Sequence, residues 1–181
     1  PEPCYYARAM EFRSKHNRYG QTSYVDVVKW ARAIYKPMAD KTKRQPYVRS
    51  AYFDNQKILL ATFWLHIKPK NSTDKARRLR FYLAAIDLIA HTKIGPELKK
   101  STGATTAYYR FFGRTKDGHP FVVQIKENTK TGRKDLISIF PASKKDFWPI
   151  CGSKAHGRKV FNGILARPSI VSIKKILRQV M

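Results

Sequence analysis

The chain has 181 residues, 43% of them hydrophobic, with three Trp, ten Tyr and ten Phe, and 37 Lys and Arg stand against 12 Asp and Glu for a formal charge of +25. That aromatic and apolar content excludes a disordered basic tail, and the length suits one sizeable core. The charge makes a polyanion the leading partner, because each neutralised phosphate releases condensed counterions. Nucleic acid comes first; an anionic membrane surface or an acidic protein such as an inhibitor or antitoxin is the alternative.

Cys4 and Cys151 are far apart and lack metal-ligand spacing, so a reducing compartment is expected, with no metal site and no cofactor. No apolar run reaches the roughly 18 residues of a spanning helix, and no secretory signal is visible. These features place the protein in the cytoplasm, its own or that of a target cell. A start at Pro1 reads as a piece cut from something longer.

Residues 1–21 alternate polar, basic and aromatic types without a period and read as an arm. From Thr22 the positions Tyr24, Val27, Val28, Ala31, Ile34, Tyr35 and Met38 follow the spacing of an amphipathic helix. Ser23 and Asp26 resemble a capping box, Pro37 marks the expected end, and Lys36 to Arg44 follows as a basic loop. Residues 47–68 read as a hairpin turning at Asp54-Asn55-Gln56-Lys57. Alternation along its second strand puts Ala61, Phe63, Leu65 and Ile67 on one face, and Thr62, Trp64, His66 and Lys68 on the other.

Residues 69–76 form a capping loop before a helix from Arg77 to Thr92. Leu79, Tyr82, Leu83, Ile86 and Ile89 make its apolar stripe, with Arg77, Arg80, Asp87 and His91 opposite. Asp87 and His91, four apart, are surface neighbours, although a His in the last turn also suits the helix dipole without any catalytic duty. Residues 93–107 read as a linker.

The organising stretch is Tyr108 to Ala142, three strands joined by turns at Lys116-Asp117-Gly118 and Lys130-Thr131-Gly132. One face collects Tyr109, Phe111, Phe121, Val123, Ile125, Ile137 and Ile139; the other collects Arg110, Gln124, Lys126 and Ser138. Glu127 is expected at a solvated strand end. Beyond Pro141 the chain is basic, with Phe147 and Trp148 expected as core residues and a helical stripe from Ile170 to Val180. The domain organisation is thus a single domain over 1–181, with a core at about 22–142, an arm at 1–21 and an extension at 143–181.

Phosphate-cradling, dinucleotide, CxxC and HExxH motifs are absent, and carboxylates are too few for a two-metal nuclease. A polar sheet face of His, Lys, Arg, Gln and Ser suits metal-free RNA cleavage instead. The ribose 2′-hydroxyl is then the nucleophile, so the protein supplies only proton transfer and charge stabilisation. His66, Arg110, Lys126 and Ser138 are the candidate catalytic residues; Lys68, Arg80, His91 and Gln124 are candidates for substrate binding. A non-catalytic nucleic-acid binder using the same face is the alternative function.

The order FWLHIK, RRLRFYLAAIDLI, RFFGRTKDGHPFVVQIKEN and GRKDLISIFPA, over about residues 47–142, resembles the phage-associated branch of the barnase–EndoU–colicin–RelE-like nucleases. The resemblance implies an α+β fold with helices packed on one face of an antiparallel sheet. It also implies metal-independent, toxin- or effector-like endoribonuclease activity. The chain departs from that group by lacking a His in the last core strand and by its long basic extension.

Overall fold

A computed structural model describes residues 11–43, 45–100 and 105–142. The expectations for Cys4, Cys151, Phe147, Trp148, the Ser101-Thr102-Gly103 stretch and the stripe from Ile170 to Val180 lie outside the described residues. The described elements are β1 (Phe12–Arg13), α1 (Tyr24–Lys41), β2 (Tyr47–Ser50), β3 (Gln56–Leu59), α2 (Ala61–Ile67), α3 (Ser72–Leu79), α4 (Tyr82–His91), β4 (Glu97–Lys100), β5 (Thr106–Arg114), β6 (Pro120–Asn128) and β7 (Lys134–Pro141). The fold class is α+β. None of the described helices is long and apolar enough to cross a membrane.

The central β5–β6–β7 meander is antiparallel and its turns fall where the glycines demand, with φ of +85° at Gly118 and +68° at Gly132. The sheet as a whole is mixed rather than antiparallel. Its order is β1-β5-β6-β7-β3-β2; β1 joins β5 and β3 joins β7 in parallel, and β4 shares the outer side of β5 with β1. Two segments read as arm and linker therefore contribute strands, because short edge pieces carry too few residues for an alternating pattern to show.

The hairpin of β2 and β3 forms, but its second strand ends at Leu59 and the chain turns into α2. Leu60, Phe63 and Ile67 are buried while Leu65 is 69% exposed. That is a helical phase: positions three and four apart share a side, whereas strand alternation would have buried Leu65 with Phe63. Short apolar runs carry both patterns, and only the neighbours decide. Here α2 packs beside β7 and donates the Thr62 hydroxyl to Asp135 Oδ1 (2.8 Å).

The single helix expected at 77–92 is two helices, α3 beginning at Ser72 and α4 at Tyr82. Asn71 caps α3, its side-chain oxygen accepting from Asp74 N at 2.7 Å. The break at Arg80 and Phe81 rotates the apolar stripe, so Leu88 and Ile89 are buried while Leu83 and Ile86 are half-buried. Phe81 packs on Phe121 with ring centroids 5.7 Å apart. Beside them Gly113 gives close approach: a Cβ there would meet Phe121 Cζ at 2.6 Å and Leu88 Cδ1 at 2.7 Å.

α1 runs through Pro37 to Lys41, past its expected end, with Ile34, Tyr35 and Met38 against the core. Ser23 occupies its N-cap position, but no side-chain capping bond forms. Val27 and Ala31 are fully buried, and Trp30 stacks on Tyr19 at 4.3 Å, tying the segment after β1 to the helix.

Candidate active site

The meander fixes a row of side chains on the sheet face away from the core. Arg110 of β5 lies opposite Gln124 of β6, and Gln124 opposite Ser138 of β7. The next row towards the Pro120 end of β6 is Phe112, Val122 and Phe140. A bulge between Gln124 and Ile125 shifts the β6–β7 register, so Leu136 pairs with Ile125 and enters the core. Ile137, expected on the core face, is displaced towards the polar one.

Helices wall this row. A cavity of about 410 Å³ is lined by Arg110, Gln124, Ile137, Ser138 and Phe140 from the sheet, and by Phe63, His66, Ile67, Lys70 and Arg78 from the α2–α3 side. His66 is in the last turn of α2 and exposed, so it comes to the cavity from a helix and not from a strand. The agreement between its expected and observed place is one of destination and not of route.

Arg78 is the residue that the sequence reading missed. Its Nη1 donates to Ser138 Oγ at 2.7 Å, and its Nε to Asp74 Oδ2 at 2.8 Å. Arg77 holds the other carboxylate oxygen at 2.8 Å. Burial alone would raise the Asp74 pKa, but the hydrogen bonds and charges of Arg78 and Arg77 hold it below its ordinary value. The carboxylate thus orients Arg78, and Arg78 occupies a lone pair of Ser138, leaving the hydroxyl proton for an acceptor in the cavity. Asp74 four residues before Arg78 is the signal that could have found this pair.

Arg110 is only loosely engaged. Its Nη1 lies 3.8 Å from Glu97 Oε2, and its Nε is buried without a hydrogen-bond partner among the described residues. A desolvated, unused N–H costs free energy that a hydrogen-bond acceptor would recover. Arg78, Lys70 and Arg110 together give the lining three cations and, among the described residues, no carboxylate.

The other candidates lie elsewhere. Lys126 is on the same face but one row along, opposite Asp135, and does not line the cavity. Lys68 caps α2 and is exposed, and Lys70 takes the position expected of it. Arg80 ends α3 and donates from Nε to Tyr19 O at 2.7 Å. His91 does meet Asp87, Nδ1 to Oδ1 at 2.9 Å, but the pair is not part of the cavity lining. Asp87 is buried there by the segment after β1, accepting from Ser14 Oγ (2.7 Å) and Lys15 N (3.0 Å).

Glu127 is not a solvated strand end. It accepts from the Tyr109 hydroxyl on one oxygen and from Lys134 Nζ on the other at 2.8 Å. Lys134 is buried, lies 5.0 Å from the Phe53 ring centre and also donates to Gln56 Oε1 at 2.7 Å. Burial, then Glu127, pushes the Tyr109 pKa up, so this hydroxyl stays protonated as a donor.

No family model, no curated protein and no solved structure matches the chain.

Proposed function

We propose that the protein is a metal-independent endoribonuclease of the barnase–EndoU–colicin–RelE-like kind, acting at the cavity between α2, α3 and the outer sheet face. The observation that carries the reading is the meeting of one imidazole, two arginines and a serine hydroxyl in a cavity to which the described residues bring no carboxylate. Such a lining repels nothing in a phosphodiester and offers donors for each of its free oxygens.

In the proposed reaction the His66 imidazole takes the proton of the ribose 2′-hydroxyl. The 2′ oxygen attacks phosphorus, the bond to the 5′ oxygen breaks, and that oxygen takes a proton from a water whose hydroxide then takes back the proton held by His66. The products are a 2′,3′-cyclic phosphate and a 5′-hydroxyl. Arg78 and Arg110 neutralise the phosphorane as its charge grows, and the Ser138 hydroxyl donates to a non-bridging oxygen. Gln124, carrying both a donor and an acceptor between them, suits a base edge. The surplus of basic residues draws RNA to this face in a salt-dependent way, and an acidic inhibitor or antitoxin would compete for it.

The test is incubation of the protein with RNA in EDTA and end-group analysis. Cyclic phosphate ends, and resistance of RNA carrying 2′-deoxyribose at the cut, are expected. Tight RNA binding without cleavage would assign the face to a non-catalytic binder.

A further inference from the structure

A second cationic point lies outside the cavity, where the segment after β1 crosses the turn between β5 and β6. Arg18 N donates to Asp117 Oδ1 at 2.9 Å, and Lys116 N donates to His16 O at 2.9 Å. Arg80 clips the same segment, Nε to Tyr19 O at 2.7 Å and Nη2 to Gly20 O at 3.2 Å. Tyr19 N in turn donates to Arg80 O at 3.0 Å, so these bonds bring Arg18 and Arg80 to one point of the fold. After burial, the Arg18 charge is the main influence lowering the Arg80 pKa, and Asp117 only partly opposes it.

The juxtaposition is costly as it stands. Like charges repel, and Arg18 Nε is buried with no hydrogen-bond partner among the described residues. The nearby carboxylate is already engaged: Asp117 serves the Arg18 backbone, and His119 Nε2 lies 3.4 Å from its other oxygen. An anion accepting from both guanidinium groups would remove the repulsion and satisfy the orphaned N–H together.

We infer that Arg18 and Arg80 hold a second phosphate of the same single-stranded RNA, a few nucleotides from the one being cut. The inference rests on the proposed function for the identity of the strand. Its position follows from the helix: Arg78, which lines the cavity, precedes Arg80 by two residues at the end of α3. At about 1.5 Å of rise and about 100° of turn per residue, their side chains leave different sides of one helix end. A strand seated in the cavity therefore reaches Arg80 by crossing that end, in one direction only.

The experiment uses fluorescence anisotropy of labelled oligonucleotides, uncleavable through 2′-deoxyribose at the cut and lengthened one nucleotide at a time in either direction. In the full chain the affinity is expected to rise by about threefold to fivefold at one length and on one side, the scale of a solvent-screened charge pair. Arg18→Gln is the main variant, because the Arg18 Nε makes no hydrogen bond among the described residues. It should lose that step and lower the log–log salt slope by about 0.7 for the longer strands. Arg18→Lys, keeping the charge, should retain part of the step. A length profile identical in wild type and Arg18→Gln overturns the inference, whether or not RNA is cut. If the step depends on Arg18 but no RNA is cleaved, the anion site stands and the nuclease reading falls.

Discussion

The strands of the β5–β6–β7 meander carry charge on both faces and treat it in opposite ways. On the core side, Lys134 is buried but saturated, shared among Gln56, Glu127 and the Gly132 carbonyl. On the outer side, Arg110 keeps a buried N–H without a partner, and Ser138 keeps its proton free beyond the bond from Arg78. A saturated charge rigidifies and has nothing left for a ligand. An unsaturated one costs stability and is kept where something else is to bind. The contrast separates polar residues tied into the fold from those of the proposed site, although both belong to one meander.

The largest effect should come from breaking the saturated side. Lys134→Ala removes the buried cation bonded to the half-buried Glu127 carboxylate, and should cost about 3–5 kcal/mol in urea unfolding. Lys134→Met, which restores bulk only, should recover little, since the carboxylate still lacks that cation. If both variants unfold like wild type, the pairing of Lys134 is not what holds this end of the sheet.

Next are the residues of the unsaturated side. His66→Ala or Arg110→Ala should lose at least about a hundredfold in RNA cleavage, the scale of one proton-transfer or charge-stabilising group. Their unfolding free energies should stay within about 0.5 kcal/mol of wild type, because neither side chain is part of the core. Lys126→Ala, one row outside the cavity, should be much closer to wild type in cleavage. Equal losses at Lys126 and Arg110 would erase the boundary drawn here.

Gly113→Ala probes the apolar part of the core side. The added methyl overlaps the Phe121 ring and a Leu88 methyl, and should cost about 1–3 kcal/mol through forced rotamer shifts. Thermal unfolding measures it, and a neutral result would mean that α4 can move off the sheet.

The smallest effect concerns acid stability. Burial would raise the Asp87 pKa, but the Ser14 hydroxyl, the Lys15 N–H and the charges of His16 and His91 hold it below its ordinary value. A depressed folded-state pKa adds stability above the ordinary carboxylate range, and that stability is lost as pH falls through the folded pKa. Ser14→Ala should cost about 0.5–1.5 kcal/mol at neutral pH, with a smaller difference at low pH. A difference independent of pH would show that the bond does not depend on the ionised carboxylate.

The sequence by itself determined the meander, its two glycine turns, the sidedness of β5 and β6, and the row Arg110–Gln124–Ser138. Those features are local: alternation has a period of two, and Gly118 and Gly132 supply backbone angles that other residues resist. It also determined that cations would dominate any site, since they outnumber acids threefold. Only the tertiary structure decided that the run from Ala61 to Ile67 is a helix, because its apolar residues satisfy either period and the flank of β7 selects one. The break at Arg80 is equally non-local, since Arg80 is drawn to the carbonyls of Tyr19 and Gly20, about sixty residues earlier. That break sets the phase of α3, which places Arg78 against Ser138 and leaves Arg80 outside the cavity. A bulge one residue wide then exchanged Ile137 for Leu136 in the core. The chemistry-bearing residue types were legible from composition and alternation; which of them meet depended on packing between segments that no local pattern relates.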